Sequence, residues 1–271
     1  MASFDFEGHE IYYESHGEGD ALLVLNGIFM SCASWRAFVR PFSKRVRLLL
    51  LDMIDQGRSA KVDFEYTQEL QARVVGAFLD ELGLDSVNLM GISYGGEVAM
   101  RFASAHPERV KKLVLSNTTA YTGDWLRDIG RSWEYAFESH DGRRFFKTCI
   151  PMVYSPRFYE DNYAWISARE DTFVKTFSPE VYDAFGRLTR SAETHDMRSA
   201  LHTIKAQTLV ISSEHDYVTP PERQREIARA IPGAGQVMIP DSGHGVMYEK
   251  PNEFLSAVLG FVENETDVRI V

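Results

Sequence analysis

Residues 87–103 decide the fold of this chain, and they read Val87-Asn88-Leu89-Met90-Gly91-Ile92-Ser93-Tyr94-Gly95-Gly96-Glu97-Val98-Ala99-Met100-Arg101-Phe102-Ala103. An apolar run typical of a buried strand enters the pattern Gly-x-Ser-x-Gly, and a helix-like stretch follows directly. A serine on such a tight turn is pushed toward disfavoured backbone angles, so its neighbours must lack Cβ atoms for the chain to reverse. The N–H groups that begin the helix then point at whatever Ser93 Oγ attacks. The stretch therefore predicts a nucleophilic serine in preference to a small-residue turn without chemistry.

A nucleophilic serine needs a base, and the base needs an acid that orients it. His244 lies between two glycines on a loop after a short apolar run, which suits it to reach a neighbouring loop rather than to pack in a core. Asp216 follows the strand-like run 208–212. We expect His244 to be the base and Asp216 the acid, and Glu214 and Asp241 are the alternative acids.

Strand-like runs alternate with helix-like segments along most of the chain. Residues 46–52 are nearly all apolar, as a central parallel strand requires, and residues 67–82 have apolar side chains at the three- and four-residue spacing that predicts a helix. This alternation predicts an α/β fold with a mostly parallel sheet and helices on both faces. Ligands of such sheets bind beyond the carboxyl ends of the strands, where Ser93, Asp216 and His244 all fall.

The chain resembles the α/β-hydrolase superfamily, of the single-domain esterase- or lipase-like type with an inserted helical cap, over about residues 10–263. The order Ser93, Asp216, His244 along the chain is the order of this family. The resemblance implies the α/β-hydrolase fold and implies that these three residues are catalytic.

A second motif of this family lies in the loop after the strand-like run 21–25. Asn26-Gly27-Ile28 stands where the family usually has His-Gly-x. The resemblance implies that the amides of Ile28 and Tyr94 form an oxyanion hole, in which each donor can contribute on the order of 3 kcal/mol. Having Asn26 in place of histidine should leave the Ile28 amide available and alter the hydrogen bonds that support the loop.

A third motif departs further from the family. Residues 52–59 match the pattern Asp-x-x-Gly-x-Gly-x-Ser only in part, because Asp55 and Gln56 occupy the places of the first glycine and its follower. This departure is expected to change the loop that borders the site.

The alternation stops between residues 119 and 204, and aromatic residues are about twice as dense in residues 121–185 as in the whole chain. We predict one catalytic domain, made of core residues 1–118 and 205–271, with a helical cap at 119–204. Some of the aromatics would form a core for the cap, and others would line an apolar substrate chamber above Ser93. The predicted substrate-binding residues are Gly27, Trp125, Trp133, Tyr135 and Phe137, although Trp133, Tyr135 and Phe137 cannot all share one helical face.

Composition limits the partners. The formal net charge of −10 argues against nucleic acid or an anionic membrane as the main partner. Cys32 and Cys149 form no disulfide framework and have no metal-ligand spacing, so we expect neither a metal nor a cofactor. The sequence contains no leader-like start and no run of 18 apolar residues, so we expect a cytoplasmic location without membrane insertion.

A local basic cluster, Arg143, Arg144 and Lys147, stands out in this acidic chain. An acyl-carrier protein is one explanation, and a solvated face is the favoured one. The expected partner is a small-molecule acyl substrate, and a homodimer is left open.

Together these features predict a serine hydrolase, carboxylesterase-like, that cleaves a small to medium, partly apolar ester, thioester or lactone through an acyl-enzyme. The same three residues also serve carbon–carbon bond hydrolases and cofactor-free haloperoxidases, and the fold does not choose among them. Serine at position 93 argues against haloalkane dehalogenases, which use aspartate there. A ligand receptor on a hydrolase scaffold and a carrier-protein-dependent biosynthetic enzyme are the remaining alternatives. The natural substrate, acyl length and stereochemistry are left open.

Overall fold

An eight-stranded, mostly parallel sheet forms the centre of the computed structural model, which describes residues 2–263. The strands are β1 (Ala2–Phe6), β2 (His9–His16), β3 (Ala21–Leu25), β4 (Arg47–Leu51), β5 (Val87–Ile92), β6 (Val110–Ser116), β7 (Gln207–Ser213) and β8 (Gly235–Ile239). Their order across the sheet is β1-β2-β4-β3-β5-β6-β7-β8. β2 is antiparallel to both β1 and β4, and every pair from β4 to β8 is parallel. This arrangement confirms the predicted α/β fold.

Helices cover both faces of the sheet. They are α1 (Arg36–Ser43), α2 (Gln68–Glu81), α3 (Tyr94–Ala105), α4 (Asp124–Glu138), α5 (Gly142–Cys149), α6 (Pro156–Asp161), α7 (Tyr163–Thr176), α8 (Pro179–Ser191), α9 (Pro221–Ala230), α10 (Val246–Glu249) and α11 (Pro251–Glu263). On one face, α2 and α3 contribute Phe78 and Phe102 to the core, and on the other α1 and α11 contribute Phe38 and Phe254. Every residue of β3 and β5 is buried, as strands between two helical layers must be.

None of the helices within residues 2–263 combines the length and apolar character that crossing a bilayer requires.

Five of the helices, α4 to α8, lie between β6 and β7, and we call them the helical insertion (residues 124–191). Their core is aromatic, and it is built around Phe29, which belongs to the loop after β3 rather than to the insertion. The ring centroid of Phe29 lies 5.2 Å from that of Phe145, 5.3 Å from that of Phe185 and 5.9 Å from that of Phe137. The main body of the protein therefore supplies part of the insertion's core.

The predicted bounds of the cap, 119–204, enclose all five inserted helices. Of the predicted last part of the core, 205–271, residues 264–271 lie outside the described residues.

A buried ion pair also joins the insertion to the main body. Arg187 on α8 donates from Nη2 and Nε to the two carboxylate oxygens of Asp55, at 2.8 and 2.9 Å. The same carboxylate accepts from the Tyr66 hydroxyl at 2.9 Å and from the Val62 amide at 3.1 Å. Asp55 has a φ of +68°, so it adopts the left-handed conformation that glycine would adopt most easily. The Asp55 departure thus keeps a glycine-like turn and adds a carboxylate that holds α8.

Candidate active site

Ser93 occupies a strained turn between β5 and α3. Its φ and ψ are +53° and −121°, outside the regions that residues with a Cβ normally adopt. A Cβ on Gly91 would lie 2.3 Å from the carbonyl oxygen of Gly95, and one on Gly95 would lie 2.2 Å from that of Leu25. Both contacts are shorter than packing allows, so these two positions require glycine. This confirms the prediction that the residues flanking the turn must lack Cβ atoms for the chain to reverse.

Ser93, His244 and Asp216 form one hydrogen-bonded chain. His244 Nε2 lies 2.9 Å from Ser93 Oγ, and His244 Nδ1 lies 2.9 and 3.0 Å from the two carboxylate oxygens of Asp216. Because a carboxylate can only accept, Nδ1 carries the proton of the neutral ring and Nε2 accepts from the serine hydroxyl. This arrangement aims the basic nitrogen at the serine.

The Asp216 carboxylate is held by several donors besides the histidine. The amides of Val218 and Thr219 each donate to Oδ1 at 2.9 Å, and the Thr219 hydroxyl donates to Oδ2 at 2.9 Å. Asn117 Nδ2 donates to Oδ2 at 2.8 Å. These bonds compensate a fully buried side chain for its lost hydration and stabilise its negative charge.

Sequence reasoning missed Asn117 and Thr219. Asn117 follows β6 directly, at the same edge of the sheet as Ser93, and Thr219 comes three residues after Asp216. Each is a short polar residue just beyond the carboxyl end of a strand, and this position in the sequence would have indicated a place near the site.

The two alternative acids lie elsewhere. The side chain of Glu214 is half exposed and accepts from the backbone amide of Asp241 at 3.0 Å. Glu214, Asp241 and His215 form the one group of possible metal ligands found within residues 2–263, with ligand atoms within 4.8 Å of one another. Such acidic surface groups are common without a metal, and Asp216 alone of the three acids contacts His244.

The loop after β3 lies against the serine. A Cβ built on Gly27 would lie 3.5 Å from Ser93 Cβ. The buried side chain of Asn26 donates from Nδ2 to the carbonyl of Leu51 and accepts from Trp35 Nε1, both at 2.8 Å. The asparagine that replaces the family's histidine therefore ties this loop to β4.

Gln56 supports the same loop from the other side. Its fully buried side chain donates from Nε2 to the carbonyl of Gly27 at 3.0 Å and, at 3.3 Å, to that of Asn26. Its Oε1 accepts from the Met53 amide at 3.2 Å. Gln56, which departs from the family pattern, thus holds the loop beside Ser93 by hydrogen bonds.

Two cavities open at Ser93, and Ile28 and Trp133 line both. The first encloses about 580 Å³, part of it open to solvent, and is lined by several charged side chains. These are Glu97, Arg127, Arg131, Glu134 and Glu193. The second encloses about 770 Å³, likewise partly open, and is mainly apolar, with Phe29, Met30, Ile150, Val153, Phe173 and Met247 in its wall. His244 lines the second cavity.

Of the predicted substrate-binding residues, Gly27 and Trp133 line these cavities. Trp133 is 6% exposed, and its Nε1 finds no hydrogen-bond partner within residues 2–263. An unpaired buried donor is costly, so this N–H is available to a bound molecule.

The structure corrects the expectation for the other three. Trp125 is 59% exposed and donates to the carbonyl of Tyr217, and Tyr135 is 70% exposed. Phe137 is buried in the aromatic core of the insertion rather than at Ser93. Helical periodicity explains the exposure of Tyr135, because it is two residues from both Trp133 and Phe137 on α4 and therefore points to the opposite side of the helix.

Glu97, at the start of α3, is the one buried acid that lines the first cavity and is not ion-paired within the part of the chain described. Burial raises the pKa of Glu97 to about 8, against the hydrogen bond from Gln68 Nε2 and the charge of Arg101. Its carboxyl group is therefore largely protonated at neutral pH. The buried thiols Cys32 and Cys149 also have raised pKa values, through loss of hydration, and both are free.

The basic cluster is exposed on α5. Arg143 and Arg144 are solvated, and Lys147 pairs with Glu170 on α7 at 2.8 Å.

Comparison with known proteins shows which family the chain belongs to. A family model described as alpha/beta hydrolase fold matches residues 20–251. The structure of MGS-M2, an alpha/beta hydrolase enzyme from a Medee basin deep-sea metagenome library, is 40% identical, covers 100% of both chains and superposes with a TM-score of 0.97. The 2-hydroxy-6-oxo-6-(2'-aminophenyl)hexa-2,4-dienoic acid hydrolase of Metapseudomonas resinovorans is 25% identical over 96% of this chain and 90% of its own length. The pimeloyl-[acyl-carrier protein] methyl ester esterase of Nitrosomonas europaea is 25% identical over 91% of this chain and 97% of its own length. The chain therefore belongs to the alpha/beta hydrolase family.

Proposed function

We propose that this protein is a serine hydrolase that cleaves a small to medium, partly apolar carboxylic ester through an acyl-enzyme, with Ser93, His244 and Asp216 as its catalytic triad. The observation that carries the proposal is the contact of 2.9 Å between His244 Nε2 and Ser93 Oγ, with Asp216 on the opposite ring nitrogen. A serine hydroxyl is a weak nucleophile until a positioned base accepts its proton, and this geometry supplies that base.

The reaction begins when His244 Nε2 takes the proton of Ser93 as Oγ attacks the ester carbonyl. Asp216 holds the ring in the required tautomer and stabilises the imidazolium that forms. His244 then gives the proton to the departing alcohol, which leaves Ser93 acylated. A water molecule attacks the acyl-enzyme with the same histidine as base, and the acid leaves as Ser93 recovers its proton.

Negative charge develops on the carbonyl oxygen in each attack. The backbone amides of Ile28 and Tyr94 are the proposed donors to it, because both residues line the first cavity together with Ser93. Tyr94 N begins α3, where helix geometry leaves the first amides without an intrahelical partner. In a serine protease of another fold, removing one oxyanion-hole donor costs about 100- to 1,000-fold in kcat.

The cavities support a substrate of moderate size. Their volumes of about 580 and 770 Å³ include space that is open to solvent, so the enclosed part of each cavity is smaller. Both cavities open at Ser93 and have mainly apolar walls, and the first also has several charged side chains, which fits a partly apolar ester whose two parts separate at the scissile bond. Relatives named as a methyl ester esterase and as a dienoic acid hydrolase also support a hydrolytic reaction.

The test is hydrolysis of 4-nitrophenyl esters with acyl chains of two to twelve carbons. We expect turnover that falls at least about 1,000-fold in Ser93→Ala and in His244→Ala. Ser256→Ala, which removes an exposed hydroxyl from α11, is the matched control and should keep the wild-type rate. A slow substrate should also add the mass of its acyl group to the intact wild-type protein and not to Ser93→Ala. Turnover that persists in Ser93→Ala would disprove the assignment of the nucleophile.

A further inference from the structure

Arg169 on α7 lines the second cavity together with Ser93 and His244. It is the only arginine or lysine in the wall of that cavity, and no aspartate or glutamate of the described chain lines it. The rest of the wall is mainly apolar. A single cation is thus placed in a space that opens on the reacting serine.

Aromatic rings surround the guanidinium group. Its carbon lies 4.7 Å from the ring centroid of Trp165, 5.2 Å from that of Tyr248 and 5.8 Å from that of Phe173. These cation–π contacts offset part of the lost hydration of a half-buried charge. The side chain of Tyr154 also hydrogen-bonds the guanidinium group, which has five N–H donors in all.

No carboxylate of residues 2–263 pairs with Arg169. Arg127, Arg157, Arg187 and Arg190 of the insertion have carboxylate partners, namely Asp124, Asp161, Asp55 and Glu65. Arg131, Arg143 and Arg144 have none within residues 2–263, but their side chains are exposed to water, whereas that of Arg169 is half-buried. A guanidinium held by rings and without a counter-charge, in a cavity of low polarity, attracts an anion more strongly than one in water would.

We propose that Arg169 binds a carboxylate of the substrate, so that the ester cleaved at Ser93 carries a second, free carboxylate. This inference rests on the proposed function and adds the chemical class of its substrate. Arginine suits this task because its fork of donors matches the two carboxylate oxygens.

The experiment compares pairs of esters that differ only in one terminal group. Mono-4-nitrophenyl adipate and its terminal carboxamide analogue place the group on the acyl part, and 4-acetoxybenzoate and 4-acetoxybenzamide place it on the leaving group. For at least one pair, we expect wild-type kcat/KM to favour the carboxylate, by about 10- to 100-fold. That preference should fall toward one in Arg169→Met and persist in part in Arg169→Lys. Arg157→Met, which removes an exposed arginine from α6, matches the change in charge and should keep the wild-type preference.

Wild-type protein that prefers the carboxamide in both pairs would overturn the inference, and so would a preference that Arg169→Met leaves intact. The wild-type comparison decides the matter even if both Arg169 variants fail to fold. Binding to Ser93→Ala separates this inference from the proposed function. Calorimetry with Ser93→Ala would compare the binding of adipate with that of adipamide. If only adipate binds, Arg169→Met removes this difference and no ester is hydrolysed by the wild type, then the carboxylate site is supported and the esterase proposal fails. If esters are hydrolysed and adipate binds no better than adipamide, the carboxylate site fails alone.

Discussion

Gln56 shows how a single residue can control an atom that it does not touch. The carbonyl of Gly27 and the amide of Ile28 belong to one planar peptide group, so a donor that fixes the carbonyl also fixes the direction of the N–H. Gln56 Nε2 donates to that carbonyl at 3.0 Å, and the Met30 amide donates to it at 3.2 Å. Gln56 is therefore a positioning residue for the proposed oxyanion hole.

Gln56→Leu is expected to lower kcat by about 10- to 100-fold with little change in KM, because the oxyanion exists only in the transition state. Steady-state kinetics with the best nitrophenyl ester would measure this, and a melting curve would show whether the variant is folded at the assay temperature. Gln236→Leu, at an exposed glutamine on β8, is the control. A rise in KM at constant kcat would contradict a positioning role.

At the scale of elements, the junction between β5 and α3 depends on close backbone approach. Gly95 lets the start of α3 pass the end of β3, since a Cβ there would meet the carbonyl oxygen of Leu25 at 2.2 Å. Gly260 in α11 has nothing within 4 Å of its Cβ position. The same substitution should therefore have opposite effects at the two sites.

Gly95→Ala is expected to lower the free energy of unfolding by about 3 kcal/mol or more, because the added Cβ overpacks against a backbone that cannot move freely. Gly260→Ala should stabilise it by up to about 1 kcal/mol, the helix preference of alanine over glycine. Denaturant unfolding of both variants would measure the difference. Equal effects at the two positions would show that the turn relaxes.

The attachment of α8 is a second element-scale feature. Arg187 and Arg190 on α8 both reach the segment after β4, but Arg187 meets a fully buried carboxylate, Asp55, whereas Arg190 meets an exposed one, Glu65. The two ion pairs should differ in their contribution to stability because of burial. Water screens the exposed pair, whereas breaking the buried pair leaves a charge that water does not screen.

Arg187→Met should cost about 3–5 kcal/mol in the free energy of unfolding, since it leaves the buried Asp55 carboxylate without its counter-charge and with only the hydrogen bonds from Tyr66 and Val62. Arg190→Met should cost less than about 1 kcal/mol. Urea unfolding would compare them. If the two substitutions cost the same, the buried pair does not anchor the insertion.

At the scale of the whole molecule, the parallel sheet brings distant segments to one edge. Ser93, Asp216 and His244 follow β5, β7 and β8, and the chain between them contains the whole helical insertion. The same assembly buries Glu97 in the wall of the first cavity, where loss of hydration raises its pKa to about 8. The free energy of unfolding should therefore depend on pH through Glu97.

Between about pH 4.5 and 8, the folded chain keeps a proton on Glu97 that the unfolded chain has released. Rising pH in this window therefore favours the unfolded state, by up to about 1.4 kcal/mol per pH unit from this group. Glu97→Gln should remove that slope, so the variant gains stability relative to the wild type as the pH rises toward 8. Urea unfolding at several pH values would measure it, with Glu108→Gln, at an exposed carboxyl, as the control for net charge. A constant difference across the window would show that Glu97 is ionised in the folded protein.

Features that depend on local chemistry could be predicted from the residues alone. The turn at Ser93 needed glycines at defined positions, α2 (Gln68–Glu81) followed from the apolar spacing predicted for residues 67–82, and strand-like runs implied a parallel sheet with its site at the carboxyl edge. The contacts between side chains that are far apart in the sequence could not be predicted in this way. Asp55 with Arg187, Gln56 with the Gly27 carbonyl, and Arg169 in the second cavity without a counter-charge all depend on how the insertion and the loops pack. The physical reason is that backbone periodicity and turn strain act over a few residues, whereas burial and charge pairing are set by neighbours that the chain brings together only on folding.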